Sequence, residues 1–227
     1  MTETPESPGT PETPTGPPAG AEPPAPPPPP PPSPETAAED YPLHADIQHQ
    51  PEYSRFMPLV KWLLAIPHYI VLILLAIGAV FAILISFFAV IITRRYPRGL
   101  FDYVVGVSRW AWRVQAYVLL MVDPYPPFTL QDDPDYPARF EIDYPEDGVA
   151  RWRPLFAWIL AIPYLIIAGI LFYLAEILAF FAFFTILFAK RYPEGMFKIA
   201  LVGLRWQARG NAYAYWLTTR YPPFVWA

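Results

Sequence analysis

The sequence predicts an α-helical integral membrane protein built from two tandem parallel repeats. Three observations predict it: two apolar runs longer than 30 residues, one phrase written twice 96 residues apart, and basic residues at both ends of each run. Each repeat is expected to hold a short strand, an apolar helical hairpin and an amphipathic interfacial helix, behind a disordered proline-rich N-terminal tail.

The tail comes first. Residues 1–34 hold 16 of the 32 prolines, and residues 1–54 carry nine acids and no Lys or Arg. Such a stretch cannot bury enough apolar surface to fold, and Pro26–Pro32 favours polyproline II. The body from Arg55 onward is basic, with 16 Lys and Arg against 11 acids. The expected division is tail 1–40, repeat 41–130, acidic linker 131–135 and repeat 136–227. There is no cysteine, which excludes disulfides, thiolate metal sites and cysteine nucleophiles. Residues 1–20 lack the basic start and apolar stretch of a signal peptide.

Short strands are predicted near 41–51, "YPLHADIQHQP", and 136–145, "YPARFEIDYP". The apolar runs follow at 59–93 and 154–189. Both exceed the about 18 apolar residues that suggest a span. A helix of about 34 residues would be ~50 Å long, against ~30 Å of hydrocarbon. Arg55 and Lys61 precede the first run, and Arg94, Arg95 and Arg98 follow it. Arg151 and Arg153 precede the second, and Lys190 and Arg191 follow it. At that length each run is either one strongly tilted, kinked helix or a hairpin of two short helices. Since Lys and Arg prefer the cytoplasmic side, the hairpin is expected. Glu176 would then sit at a hairpin tip rather than in hydrocarbon, and His68 would be a polar packing residue inside the membrane.

"RRYPRGLF" (94–101) and "KRYPEGMF" (190–197) form the corner of each unit. Arg95, Tyr96, Pro97 and Gly99, with Arg191, Tyr192, Pro193 and Gly195, are expected as interface anchors. The cations suit a helix C-terminus, the prolines end the helix, the glycines let the chain turn and the tyrosines lie at interface depth. Comparing 55–128 with 151–224 gives 27 identities in 74 positions without a gap. The units are expected to be related by an axis along the membrane normal. The helix after each corner carries a polar stripe. Asp102, Gly106, Arg109, Arg113 and Ala116 share a face, as do Lys198, Val202, Arg205, Arg209 and Ala212. Arg109, Arg113, Arg205 and Arg209 are the candidate binders of anionic lipid or phosphate; the alternative is that they snorkel from a surface helix.

At "LLAIPHYIVL", "RRYPRGLFDYVVGVSRWAWRVQAY" and "DPYPPFTL" the sequence resembles the DUF4389 family of bacterial, mainly actinobacterial, membrane proteins. The resemblance covers about 41–227. The second unit departs from the first at Tyr164 for His68, Lys198 for Asp102 and Asn211 for Gln115. It implies a bacterial inner-membrane protein and brings no activity, cofactor or catalytic residue.

No nucleophile–base or metal constellation stands out, so neither a catalytic residue nor a cofactor or metal is expected. The expected function is a non-enzymatic scaffold or accessory subunit. It would bind anionic lipids, a membrane protein partner or both at the cytoplasmic face of the plasma membrane, with several membrane passes and a cytoplasmic tail. Nucleic acid is not an expected partner. The alternative is a small transporter or channel built from the two repeats.

Overall fold

A computed structural model describes residues 40–226. The predicted disordered tail lies outside the described residues, except for Asp40. The elements are β1 (Leu43–Ile47), α1 (Met57–Leu64), α2 (Ile66–Thr93), α3 (Arg98–Val118), β2 (Ala138–Ile142), α4 (Arg153–Ala189) and α5 (Glu194–Ala214).

Neither apolar run folds back, which corrects the expected hairpins. The first breaks only at Ala65, just before Pro67, and α1 and α2 together form one stretch of 37 residues. α4 runs unbroken for 37 residues through Pro163. The physical reason is the backbone. In apolar surroundings a continuous helix pairs its own N–H and C=O groups, whereas a turn would strand several of them. Gly78 and Gly169 lower helix propensity by only about 1 kcal/mol each, too little to force a turn. Both runs expose most of their apolar surface. Only 17% and 28% of their most apolar windows are buried, and both helices are long and apolar enough to cross a membrane. The buried edge of α4 is a row of small residues, including Ala157, Ala161, Ala168, Ala175 and Ala182. Small residues there let the neighbouring helix come close.

β1 and β2 pair antiparallel, with Leu43 opposite Ile142, Ala45 opposite Phe140 and Ile47 opposite Ala138. Alternation puts these six side chains inward. His44, Asp46 and Glu141 point outward and are exposed, and the half-buried Arg139 alternates with them. Ala45 and Phe140 are also equivalent positions of the two repeats, so the ribbon is centred on a pseudo-twofold axis.

The chain ends of the long helices obey the same axis. The Tyr53 N–H donates to the Lys190 carbonyl (3.0 Å), and the Val149 N–H donates to the Arg94 carbonyl (2.7 Å). These two bonds are repeat equivalents. Each ties the entrance of one apolar helix to the exit of the other, so α2 and α4 run antiparallel. The repeats are therefore related by a pseudo-twofold axis with their long helices antiparallel. α3 folds back along α1–α2, and α5 folds back along α4. One face of α3 meets α2 through Tyr103, whose hydroxyl donates to the Leu75 carbonyl (3.0 Å), and through Trp110 beside His68. A different face, with Arg109 and Trp112, meets the ribbon. The order is ribbon, then α3 and α5, then the long apolar helices.

Candidate functional site

Each expected anchor takes a place set by this twofold frame. The four helix arginines are turned toward protein carbonyls and rings. Arg109 donates from Nε to the Phe140 carbonyl (2.9 Å) and from Nη1 to the Leu130 carbonyl (2.9 Å). Arg205 donates from Nε to the Ala45 carbonyl (2.8 Å) and from Nη2 to Asp46 Oδ1 (2.8 Å). The carbonyls are those of the central ribbon pair, so each helix clamps the strand of the other repeat. Arg113 is fully buried and donates to the Gln131 carbonyl (2.8 Å) and the Thr129 carbonyl (3.4 Å). Arg209 is also buried, and its Nε and Nη1 have no hydrogen-bond partner among the described residues. Arg113 and Arg209 lie over the equivalent rings of Tyr136 and Tyr41, each 5.9 Å from the centroid. Burial lowers the pKa of both guanidinium groups, with Asp133 opposing the shift at Arg113. These arginines thus pack against the ribbon and, in the first repeat, the 129–131 segment, where guanidinium forks bond open carbonyls, while Asp102 and Lys198 of the stripe stay exposed.

The corners also differ from expectation. The turn is made by Arg94 (φ 60°) and Lys190 (φ 57°), which are left-handed, and not by the glycines. Gly99 and Gly195 lie in the first turn of α3 and α5. Pro97 and Pro193 are the N-cap residues of those helices. Tyr96 and Tyr192 are buried rather than interfacial and pack edge-on against Phe101 and Phe197. Arg95 and Arg191 remain exposed.

His68 is buried. It stacks on Phe128 at 4.1 Å, and its Nδ1 accepts from the Trp110 indole (3.1 Å). Its equivalent Tyr164 stacks on Trp206 at 4.7 Å, and the Trp206 indole donates instead to the Val225 carbonyl (2.8 Å). Both side chains are buried among aromatic rings. Glu176 is at no hairpin tip. It is exposed on unbroken α4, in a shallow recess with Trp62 and Lys61 of α1.

One exchange was invisible in the sequence. Lys61 is buried and donates to the Val122 carbonyl (2.7 Å) and to Asp123 Oδ1 (2.8 Å). Its equivalent is Ala157, which can do neither. Arg153, one helical turn earlier, donates to the carbonyls of Thr218 and Thr219, the equivalents of Val122 and Asp123. Lys61 lies over Tyr117 and Arg153 over the equivalent Tyr213.

The crosswise pairing gathers cations that the sequence keeps far apart. At one end Arg94, Arg151, Trp152 and Arg153 line a common recess. At the other, Arg55 and Arg191 flank the junction of α1 with the exit of α4, where Glu52 bonds Lys190 (2.7 Å). Arg55, Arg94, Arg95 and Arg191 make no ion pair among the described residues and are exposed. Between α3 and α5, near the pseudo-axis, lies a cavity of about 180 Å³ roofed by Phe140 and Ile142. Its polar lining is Ser108, Gln115, Gln207 and Asn211. No group of three His, Cys, Asp or Glu side chains able to hold a metal occurs among the described residues.

No curated protein and no solved structure matches the chain. A family described as a domain of unknown function, DUF4389, matches residues 58–129 and again 151–225. The two matches begin after β1 and β2 respectively and together cover more than half of the sequence, so the chain belongs to the DUF4389 family.

Proposed function

We propose that the chain is a non-enzymatic scaffold or accessory subunit of the bacterial plasma membrane. It holds anionic lipid at its cationic ends and offers its ribbon face to a partner protein on the cytoplasmic side. One observation carries this reading. Two long helices expose apolar faces along their whole length, and cations from opposite repeats are grouped at both ends of the pair. Apolar area supplies the anchoring, and exposed Arg beside Trp152 suits bidentate contact with a lipid phosphate.

The lipid-binding cations in this reading are Arg94, Arg95 and Arg151 at one end and Arg55 and Arg191 at the other. The test is a gentle purification of tagged protein from its own membranes, with mass spectrometry of the lipids and proteins retained. Replacing Arg94, Arg95 and Arg151 by Gln is expected to lower retained anionic lipid several-fold and to leave the partner in place. Unchanged lipid content would remove the lipid half of the proposal. Absence of a stoichiometric partner, together with ion flux in proteoliposomes, would replace the scaffold by a transporter.

A further inference from the structure

Resting on the membrane reading above, we infer that α1–α2 and α4 lie along one leaflet of a lipid bilayer rather than across it. The apolar faces point into the acyl chains and the ribbon points to water.

Crosswise bonds join Tyr53 to Lys190 and Val149 to Arg94. They place the start of each long helix beside the end of the other. A twofold axis relates the repeats through the Ala45–Phe140 pair. Two helices that are antiparallel and related by a twofold axis must both run perpendicular to it. The axis of an antiparallel ribbon is normal to its sheet. The long helices therefore lie parallel to the plane of the ribbon, and the ribbon lies over their midpoints.

Consider the spanning alternative. A helix of 37 residues is roughly 55 Å long, so fitting it within ~30 Å of hydrocarbon needs a tilt of roughly 57°, beyond the usual 0–40°. The ribbon, beside the helix midpoints, would then sit at hydrocarbon depth. Its outward His44, Asp46 and Glu141 are exposed, and Arg139 with Asp132 forms an ion pair beside them. Polar groups at that depth are among the least tolerated features of a membrane protein.

The flat arrangement has neither difficulty. A helix about 10–12 Å across fits within the ~15 Å of hydrocarbon in one leaflet. One face of each helix is apolar from end to end: Ile66, Ile77 and Phe88 on α2, and Ile162, Ile170 and Phe181 on α4, are all exposed. The basic ends then fall at one headgroup level, which is why cations flank both ends of both runs without any hairpin. Amphipathic surface helices embed in this manner.

The full-length chain is free of cysteine, so single cysteines report cleanly. Arg55→Cys, Arg95→Cys, Glu141→Cys and Val80→Cys are exposed surface changes. In sealed membrane vesicles an impermeant maleimide is expected to label the first three from the same side and Val80→Cys from neither. Labelling of Arg55→Cys and Arg95→Cys from opposite sides, with the protein still resistant to carbonate extraction, would overturn the inference and leave the membrane reading standing. Extraction by carbonate with Val80→Cys freely labelled would overturn both. A second measurement covers variants that insert poorly. Fluorophores on cysteines at Ile66, Ile77 and Phe88 are expected to be quenched equally by lipids brominated at one shallow depth. Quenching that deepens toward Ile77 would contradict the flat seat.

Discussion

Arg113 shows how a residue that looks like a ligand-binding cation serves the fold. Replacing it by Ala removes the donors to the partly buried carbonyls of Thr129 and Gln131. Each lost bond of this kind costs about 1–3 kcal/mol. Arg113→Ala is therefore expected to lower the thermal midpoint in detergent by several degrees, with bound anionic lipid per folded molecule unchanged. The exchange between Lys61 and Arg153 makes a sharper test. Lys61→Ala leaves the Val122 carbonyl unbonded and destabilises; adding Met57→Arg copies the Arg153 arrangement and is expected to restore most of the loss. Double-mutant thermal unfolding reads this directly. At Arg94, an exposed side chain occupies a left-handed backbone (φ 60°). Arg94→Gly removes that strain, and a gain of about 1 kcal/mol is expected in denaturant unfolding. Tyr53 and Tyr96 supply the pH dependence. Burial pushes each up to about 12 from an ordinary 10.0. The folded state holds these protons more tightly than the unfolded state does. Their contribution is complete below pH 10 and is lost as the pH rises from about 10 through 12. Exposed tyrosines ionise first, and the late rise in tyrosinate absorbance is expected to coincide with the loss of helical circular dichroism; a late rise at constant ellipticity would contradict it.

At the scale of elements, helix existence was legible and helix ending was not. Apolar length announced both long helices, and the punctuation of "RYP" announced the corner. The error was the hairpin. Arg and Lys at both ends of a run favour a return over one long kinked helix but do not require it. A single helix meets the same condition once its partner runs antiparallel and both lie in one plane, and that depends on contacts between the repeats. The strand segments could be seen as Tyr-Pro phrases of weak alternation, but their pairing with each other could not. A helical period says which residues of α3 and α5 share a face and not what covers it, so the arginines' bonds to the ribbon were not legible. α5 packs closely on α4 at Gly203, where an added Cβ would lie 2.5 Å from the Leu171 carbonyl oxygen. The repeat equivalent on α3 is Val107, so the two helix pairs differ in closeness at this point. Gly203→Ala is expected to force α5 away from α4 and to lower the thermal midpoint, whereas Gly195→Ala, with open space around it, should be neutral or slightly stabilising.

For the whole molecule, internal duplication is the organising fact. Two units each too thin to bury their own ribbon strand exchange them, so that the arginine of one repeat bonds the strand of the other. The 27 identities made the duplication plain, but a sequence repeat does not say how its copies are oriented to one another. The crosswise bonds decide it here, and the grouping of Arg94 with Arg151, on which the lipid proposal rests, follows from them. The most direct measurement is a pair of distances between spin labels in the reconstituted protein. Labels on Arg95→Cys and Arg151→Cys are expected to lie near each other, because the exit of α2 meets the entrance of α4. Labels on Arg55→Cys and Arg95→Cys should be separated by roughly 55 Å, the length of a 37-residue helix. A short distance in the second pair would mean that the apolar run returns as a hairpin, and it would contradict the antiparallel arrangement of the long helices.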